Sequence, residues 1–269
     1  MQGLGWFAWV LMYVFLSGCG IGRAELRASE DPGIREFDMP TIEKLGKAIY
    51  ERDGYAALAT DILLAKVGDV KALHEAKVRG WIVVEDKGHF RVRFIKQGPE
   101  GFLPAFDVDF SSPEKGVAAK AEGALTEREV SQFRARQLAI REIKQPCSKR
   151  YNTVVLPDVD GEGFIAYCLA ATMKTKEVFL GGHYRITVSA DGKTVERVDR
   201  LSKGCLTLPW GPNDKGQVPA VLVTNHMVSP RPIEIHVWAN LVSGMDLAIF
   251  TKDGTMWQVE NGKVMKTKT

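Results

Sequence analysis

Charge is missing where the chain begins: no Asp, Glu, Lys or Arg precedes Arg23. Also missing is an apolar run long enough to span a bilayer, because Leu4–Leu16 ends after thirteen residues where a membrane helix takes about 20. Such a run reads as the h-region of an export signal, although its n-region has only the α-amino group as a positive charge. An excess of one charge sign is absent too. With 36 Lys and Arg against 33 Asp and Glu the formal net charge is +3, which provides no electrostatic footprint for nucleic acid, and none is expected as a partner. The signatures of catalysis are equally lacking: there is no Gly-x-Ser-x-Gly elbow, no phosphate-cradling Gly-x-x-x-x-Gly-Lys loop and no Gly-x-Gly-x-x-Gly dinucleotide turn. His74-Glu75 opens like a zinc-protease helix, but the position that must return a second His to the same face is Val78. No cofactor and no metal are expected on these grounds.

The apolar run ends in Leu16-Ser17-Gly18-Cys19. These four residues resemble the lipobox of bacterial lipoproteins, and the resemblance covers these positions alone. It implies that Cys19 receives diacylglycerol and becomes the mature N-terminus, with palmitate among its acyl chains. Gly20, where an Asp would retain the protein at the inner membrane, implies sorting to the outer membrane with the body facing the periplasm. A rival cleavage pattern, Gly22-Arg23-Ala24, would instead release a soluble periplasmic or secreted protein, and an uncleaved anchor is a third reading. The chain is therefore divided into a lipoprotein-type signal peptide (1–19), a polar tether (20–38) and a single α+β domain (39–269), with a subdivision near 146–151 left open.

Cysteine is scarce. Of four, lipidation of Cys19 leaves Cys147, Cys168 and Cys205. Cys168 lies in the apolar run Phe164–Leu169 and is expected to be a buried thiol. Cys147 and Cys205 sit beside loop residues and are expected to form a disulfide in an oxidising envelope, although sequence does not decide connectivity.

Helical periodicity starts at an expected N-cap, Thr41, and is expected to stop at Asp53-Gly54. A second helix (55–67) and a third, from Asp69 to Gly80, come next. Trp81–Val84 and Phe90–Ile95 read as a hairpin through Asp86-Lys87-Gly88. In the strand Phe102–Phe110, Asp107 and Asp109 alternate with apolar residues and are expected on a hydrated face. Thr126-x-x-Glu129 is a capping box opening a helix with an apolar stripe of Val130, Phe133, Ile140 and Ile143. The basic residues Arg134, Arg136, Arg141, Lys144, Lys149 and Arg150 are expected on solvated surface. Beyond Pro146 the pattern reads almost wholly as strands, including Ile233–Val242. The fold class expected is α+β: N-terminal helices with a mostly antiparallel sheet that dominates the C-terminal half.

Two polar sets invite chemistry. Asp158-Val159-Asp160-Gly161-Glu162 begins like a calcium loop but has Leu169 at the twelfth position, so it reads as an acidic hairpin loop. His183, His226, Glu234 and His236 form the other set. Read as strands, their faces would present three imidazoles and a carboxylate, a candidate acid–base group. The function expected is a non-catalytic binding or accessory module, anchored by lipid in the envelope. Its partner, a small molecule, a glycan or a protein, is left open. An envelope hydrolase using that His/Glu set is the alternative.

Overall fold

In the computed structural model, the structure describes residues 33–267 except 87, 113–114 and 173. The expected signal peptide, Cys19 and most of the expected tether lie outside them. Two helices, α1 (Met39–Val67) and α2 (Val70–Glu75), precede the strands β1 (Val78–Asp86), β2 (His89–Gln97), β3 (Phe102–Ser112) and β4 (Lys115–Lys120). Helix α3 (Glu127–Arg141) leads to β5 (Tyr151–Pro157), β6 (Phe164–Ala170), β7 (Glu177–Phe179), β8 (Tyr184–Val188), β9 (Val195–Arg200), β10 (Thr207–Pro209) and β11 (Leu222–His226). Helix α4 (Glu234–Ser243) and strands β12 (Leu247–Thr251), β13 (Met256–Glu260) and β14 (Lys263–Lys266) follow. The class is α+β, and strands dominate the C-terminal half.

Four-stranded sheets form in the orders β1-β2-β3-β4, β5-β6-β8-β9 and β11-β12-β13-β14, with a two-stranded β7-β10 ladder beside them. Among the described residues all strand pairings are antiparallel except β11 with β12. Parallel neighbours need a crossover, and α4 supplies it. The sheet β5-β6-β8-β9 is covered on both faces: Val155, Ala166 and Ile186 pack on α3, while Val154, Ile165 and Tyr167 pack with α4 and the N-terminal half of α1.

Helix α1 is one element where two were expected. Asp38 caps it by accepting from the Thr41 N–H, and Pro40 stands in its first turn, where its missing N–H costs nothing. The Asp53-Gly54 pair does not stop it, because its two halves serve different cores. Ile42, Leu45 and Ile49 belong to the C-terminal core, and Ala59 and Leu63 pack against β2, β3 and β4. Burial at both ends outweighs the cost of one glycine, about 1 kcal/mol. The expected third helix is a single short piece, α2, with Asp69 as its cap; Gly80 lies inside β1 instead of ending a helix.

Ile233–Val242 is the largest correction. It is helix α4, closed by Gly244 at φ 65 in the left-handed region. Almost every side chain from Glu234 to Asn240 is buried, so no 3.6-residue period survives in the sequence to be read. On α3 the buried residues are Ser131, Phe133, Ala135, Arg136 and Ala139, and Ile140 is exposed. The expected stripe fails because α3 is a wedge: Phe133 turns to Ile82 and Ile95, and Ala135 and Ala139 turn to β6 and β8.

Of the two β3 carboxylates expected on a hydrated face, Asp109 is exposed and Asp107 is buried. Asp107 receives two bonds at 2.9 Å from Arg93, which also reaches Glu129 on α3. Residues 33–38, assigned to the tether, are tied to the body: the Arg35 N–H donates to Asp199, and Phe37 enters the core. Cys147 and Cys205 are joined, with Cα atoms 5.4 Å apart, and Cys168 is a buried thiol.

Helices α1 and α4 touch at Gly46, where an added Cβ would stand 2.4 Å from Val237 Cβ and 2.7 Å from the Glu234 carbonyl oxygen. Gly46→Ala should therefore destabilise the protein by about 2 kcal/mol, against the gain of up to about 1 kcal/mol that helix propensity alone would bring. Urea unfolding reads the sign directly.

Candidate functional site

The candidate residues collect around the first turns of α4. His183 immediately precedes β8, His226 ends β11, and Glu234 and His236 lie in the opening turn of α4. All four are buried. Because the segment is helical, residues two apart point in nearly opposite directions, so Glu234 and His236 do not share the face that a strand would give them.

Glu234 turns to Arg185. The guanidinium is 1% exposed and is held from three sides. Nη1 donates to Glu234 Oε1 at 2.7 Å, Nε and Nη2 donate to Asp199 Oδ2 at 3.0 and 2.8 Å, and Nη2 also donates to the Arg35 carbonyl. The Phe37 ring lies 4.8 Å below it. Asp199 is the cross-strand neighbour of Arg185 in the β8-β9 ladder, and it accepts a further bond from Arg197 at 2.6 Å. The Tyr167 hydroxyl stands in the same enclosure, and burial followed by the Glu234 charge raises its pKa well above the usual value.

The imidazoles turn the other way. His236 Nδ1 accepts from the Ile233 N–H at 3.0 Å, closing the first turn of α4, which has no Ser, Thr, Asp or Asn cap. The His226 ring stands perpendicular to it with centroids 4.7 Å apart. His183 Nδ1 accepts from the Ala170 N–H at 3.0 Å, Nε2 donates to the Phe179 carbonyl at 3.0 Å, and the ring edge meets Trp238 at 5.4 Å. Burial lowers the pKa of His183 and of His226 to about 4. It takes His236 well below its ordinary value, with His226 and His183 adding to the fall. All three rings are therefore neutral at pH 7.

The arrangement thus brings His226 and His236 together, sets His183 against Trp238, and directs Glu234 elsewhere. Among the described residues no group of three or more His, Cys, Asp and Glu side chains could hold a metal ion. Two surface hollows of about 460 and 350 Å³ are lined by other residues, the first between α1 and the β13–β14 turn and the second by His89, Arg91 and Asp109. The acidic loop Asp158–Glu162 is a hairpin connection whose carboxylates serve the protein itself: Asp158 and Asp160 grip Arg35 at 2.7–2.8 Å.

No family model matches the chain, and no curated protein or solved structure is significantly similar to it.

Sequence reasoning missed Arg185 and Asp199 as partners. Counting outward from the Asp191-Gly192 turn pairs 185 with 198; a register shift between Thr187 and Val188 moves the partner to 199, so the turn alone does not reveal the pair. Likewise an unbroken count from Gln97 and Phe102 pairs Arg93 with Phe106, and the shift between Phe94 and Ile95 brings Asp107 opposite it instead.

This geometry has two measurable outcomes. Arg185→Met strands the buried Glu234 and leaves Asp199 with only Arg197 and the Arg35 N–H, and should cost about 3–5 kcal/mol, whereas adding Glu234→Gln and Asp199→Asn should recover much of that loss; chemical denaturation of the single and triple variants checks it. Acid should destabilise the protein in the histidine window. From about 6.5 down to about 4 the unfolded chain binds protons that the buried rings refuse, so stability falls by up to about 1.4 kcal/mol per pH unit for each ring. A urea midpoint that stays flat between about pH 7 and 5 would contradict this, and His226→Gln should make the slope shallower.

Proposed function

We propose that the protein is an exported, lipid-anchored component of the bacterial envelope, attached at the outer membrane through Cys19 and facing the periplasm. In this reading its body is a non-catalytic binding or accessory module. The observation that carries the second part is the state of the candidate acid–base groups. Glu234 is 0% exposed and bonded to Arg185, and the Nδ1 lone pairs of His183 and His236 are taken by main-chain N–H groups. General acid–base work needs a group within hydrogen-bond reach of a substrate. These groups support helix α4 and the β8-β9 ladder instead, which weighs against the hydrolase alternative.

The anchor rests on Leu16-Ser17-Gly18-Cys19. An oxidising compartment is supported by the Cys147–Cys205 bond, of a kind that persists outside reducing cytosol. With Cys19 assigned to lipid and two cysteines bridged, the remaining thiol, Cys168, is sheltered in the core.

Labelling with radioactive palmitate in a bacterial host tests the anchor. Label is expected in the wild-type chain and not in Cys19→Ala. Equal labelling of both, or of neither, removes the anchor and leaves the soluble alternative. Stoichiometric zinc in the purified protein, lost in His236→Ala, would sink the non-catalytic reading.

A further inference from the structure

One arginine of the basic stretch on α3 points inward. Arg136 is 6% exposed and its guanidinium occupies the junction between α3, β1 and β5. The backbone of β1 makes room for it: the ladder with β2 shifts register between Val78 and Gly80, and a Cβ at Gly80 would stand 2.5 Å from Arg136 Nη1. The guanidinium then lies over the Trp81 indole, 4.5 Å from its centroid.

The other deeply buried arginines are matched by carboxylates, Arg93 by Asp107 and Glu129 and Arg185 by Asp199 and Glu234. Among the described residues Arg136 has no such match. Its Nε lacks a hydrogen-bond partner, and no carboxylate raises its pKa, which burial lowers to about 10. It is therefore charged at neutral pH. The one ionisable neighbour acting on it is the Cys168 thiol. Burial pushes that thiol up to about 12, so it is uncharged and offers no compensation. Glu85, on β1, is bound by Arg52 at 2.6 Å.

A cavity lies at this junction, lined by Arg136, Arg52, Trp81, Gln132 and Thr153 among others. Trp81 Nε1 is, like Arg136 Nε, buried without a partner among the described residues, and the Thr153 hydroxyl stands against the Cys168 thiol. At about 10 Å³ the space suits a single water-sized species. A net positive enclosure with two unused N–H donors favours an anion over water, because a buried cation without a counter-charge is costly. The size excludes phosphate, sulfate and carboxylate ligands.

We propose that this cavity is a binding site for one monatomic anion of the halide class, held by the Arg136 guanidinium and the Trp81 indole N–H. The ion supplies the counter-charge that the sequence does not, and it joins α3 to both flanking sheets. The inference is independent of the envelope reading above.

Thermal unfolding of the full-length protein at constant ionic strength tests it, with sodium gluconate replaced stepwise by sodium chloride or bromide. A saturable rise of a few degrees with either halide is expected, since a ligand bound only by the folded state stabilises it. Arg136→Met should lose that dependence. Crystals grown in bromide should show one anomalous peak beside the guanidinium. Equal melting temperatures in gluconate and halide, or no bromide at Arg136, would overturn the proposal and leave a water there. If Arg136→Met does not fold, the wild-type melts and the bromide crystals decide.

Discussion

The charge of Arg185, taken fully out of water, is the constraint on which the C-terminal core depends. A buried guanidinium is tolerated only when its donors are met by carboxylates and carbonyls in good geometry. Here the partners come from β9, from α4 and from the segment that leads into α1. One side chain thereby sets the relative positions of three parts of the chain that are remote in sequence. Phe37 and Tyr167 close the enclosure, and the Gly46 contact lets α1 approach α4 closely enough to seal it. Such a network adds less to stability than a well-packed apolar core would, but it penalises any arrangement in which one partner is displaced.

The polar residues that drew attention as candidate chemistry belong largely to this scheme. Glu234 neutralises Arg185, His236 substitutes for a missing N-cap, and His183 bridges the ends of β6 and β7 through its two nitrogens. Each satisfies a buried backbone or ionic group that would otherwise be unpaired. Two atoms of the set are exceptions among the described residues: His226 Nε2, buried and unpartnered beside His236, and Glu234 Oε2.

Legibility in the sequence tracked the locality of the interaction. Caps were readable at Asp69 and Thr126, because the residues that make them lie three positions apart. The β1–β2 hairpin and the turn at Asp191-Gly192 were readable for the same reason. Helix α4 was not, since burial on every side erases the period that distinguishes a helix from a strand. Pro232 before it and Gly244 after it were the only punctuation. Arg136 was also misplaced, because the room it occupies is made by Gly80 on a strand far along the chain.

By itself the sequence determined the fold class, the strand-rich C-terminal half and an acidic hairpin at Asp158. It also carries the four-residue motif on which the envelope reading stands. These arise from composition, short-range periodicity and turn chemistry, which act over a few residues. The tertiary structure alone decided that α1 is continuous, that α4 is a helix forcing β11 and β12 to run parallel, and which charges lie inside. It also chose Cys205 as the partner of Cys147. Each of these depends on which distant residues meet, and meeting is settled by burial of both surfaces at once.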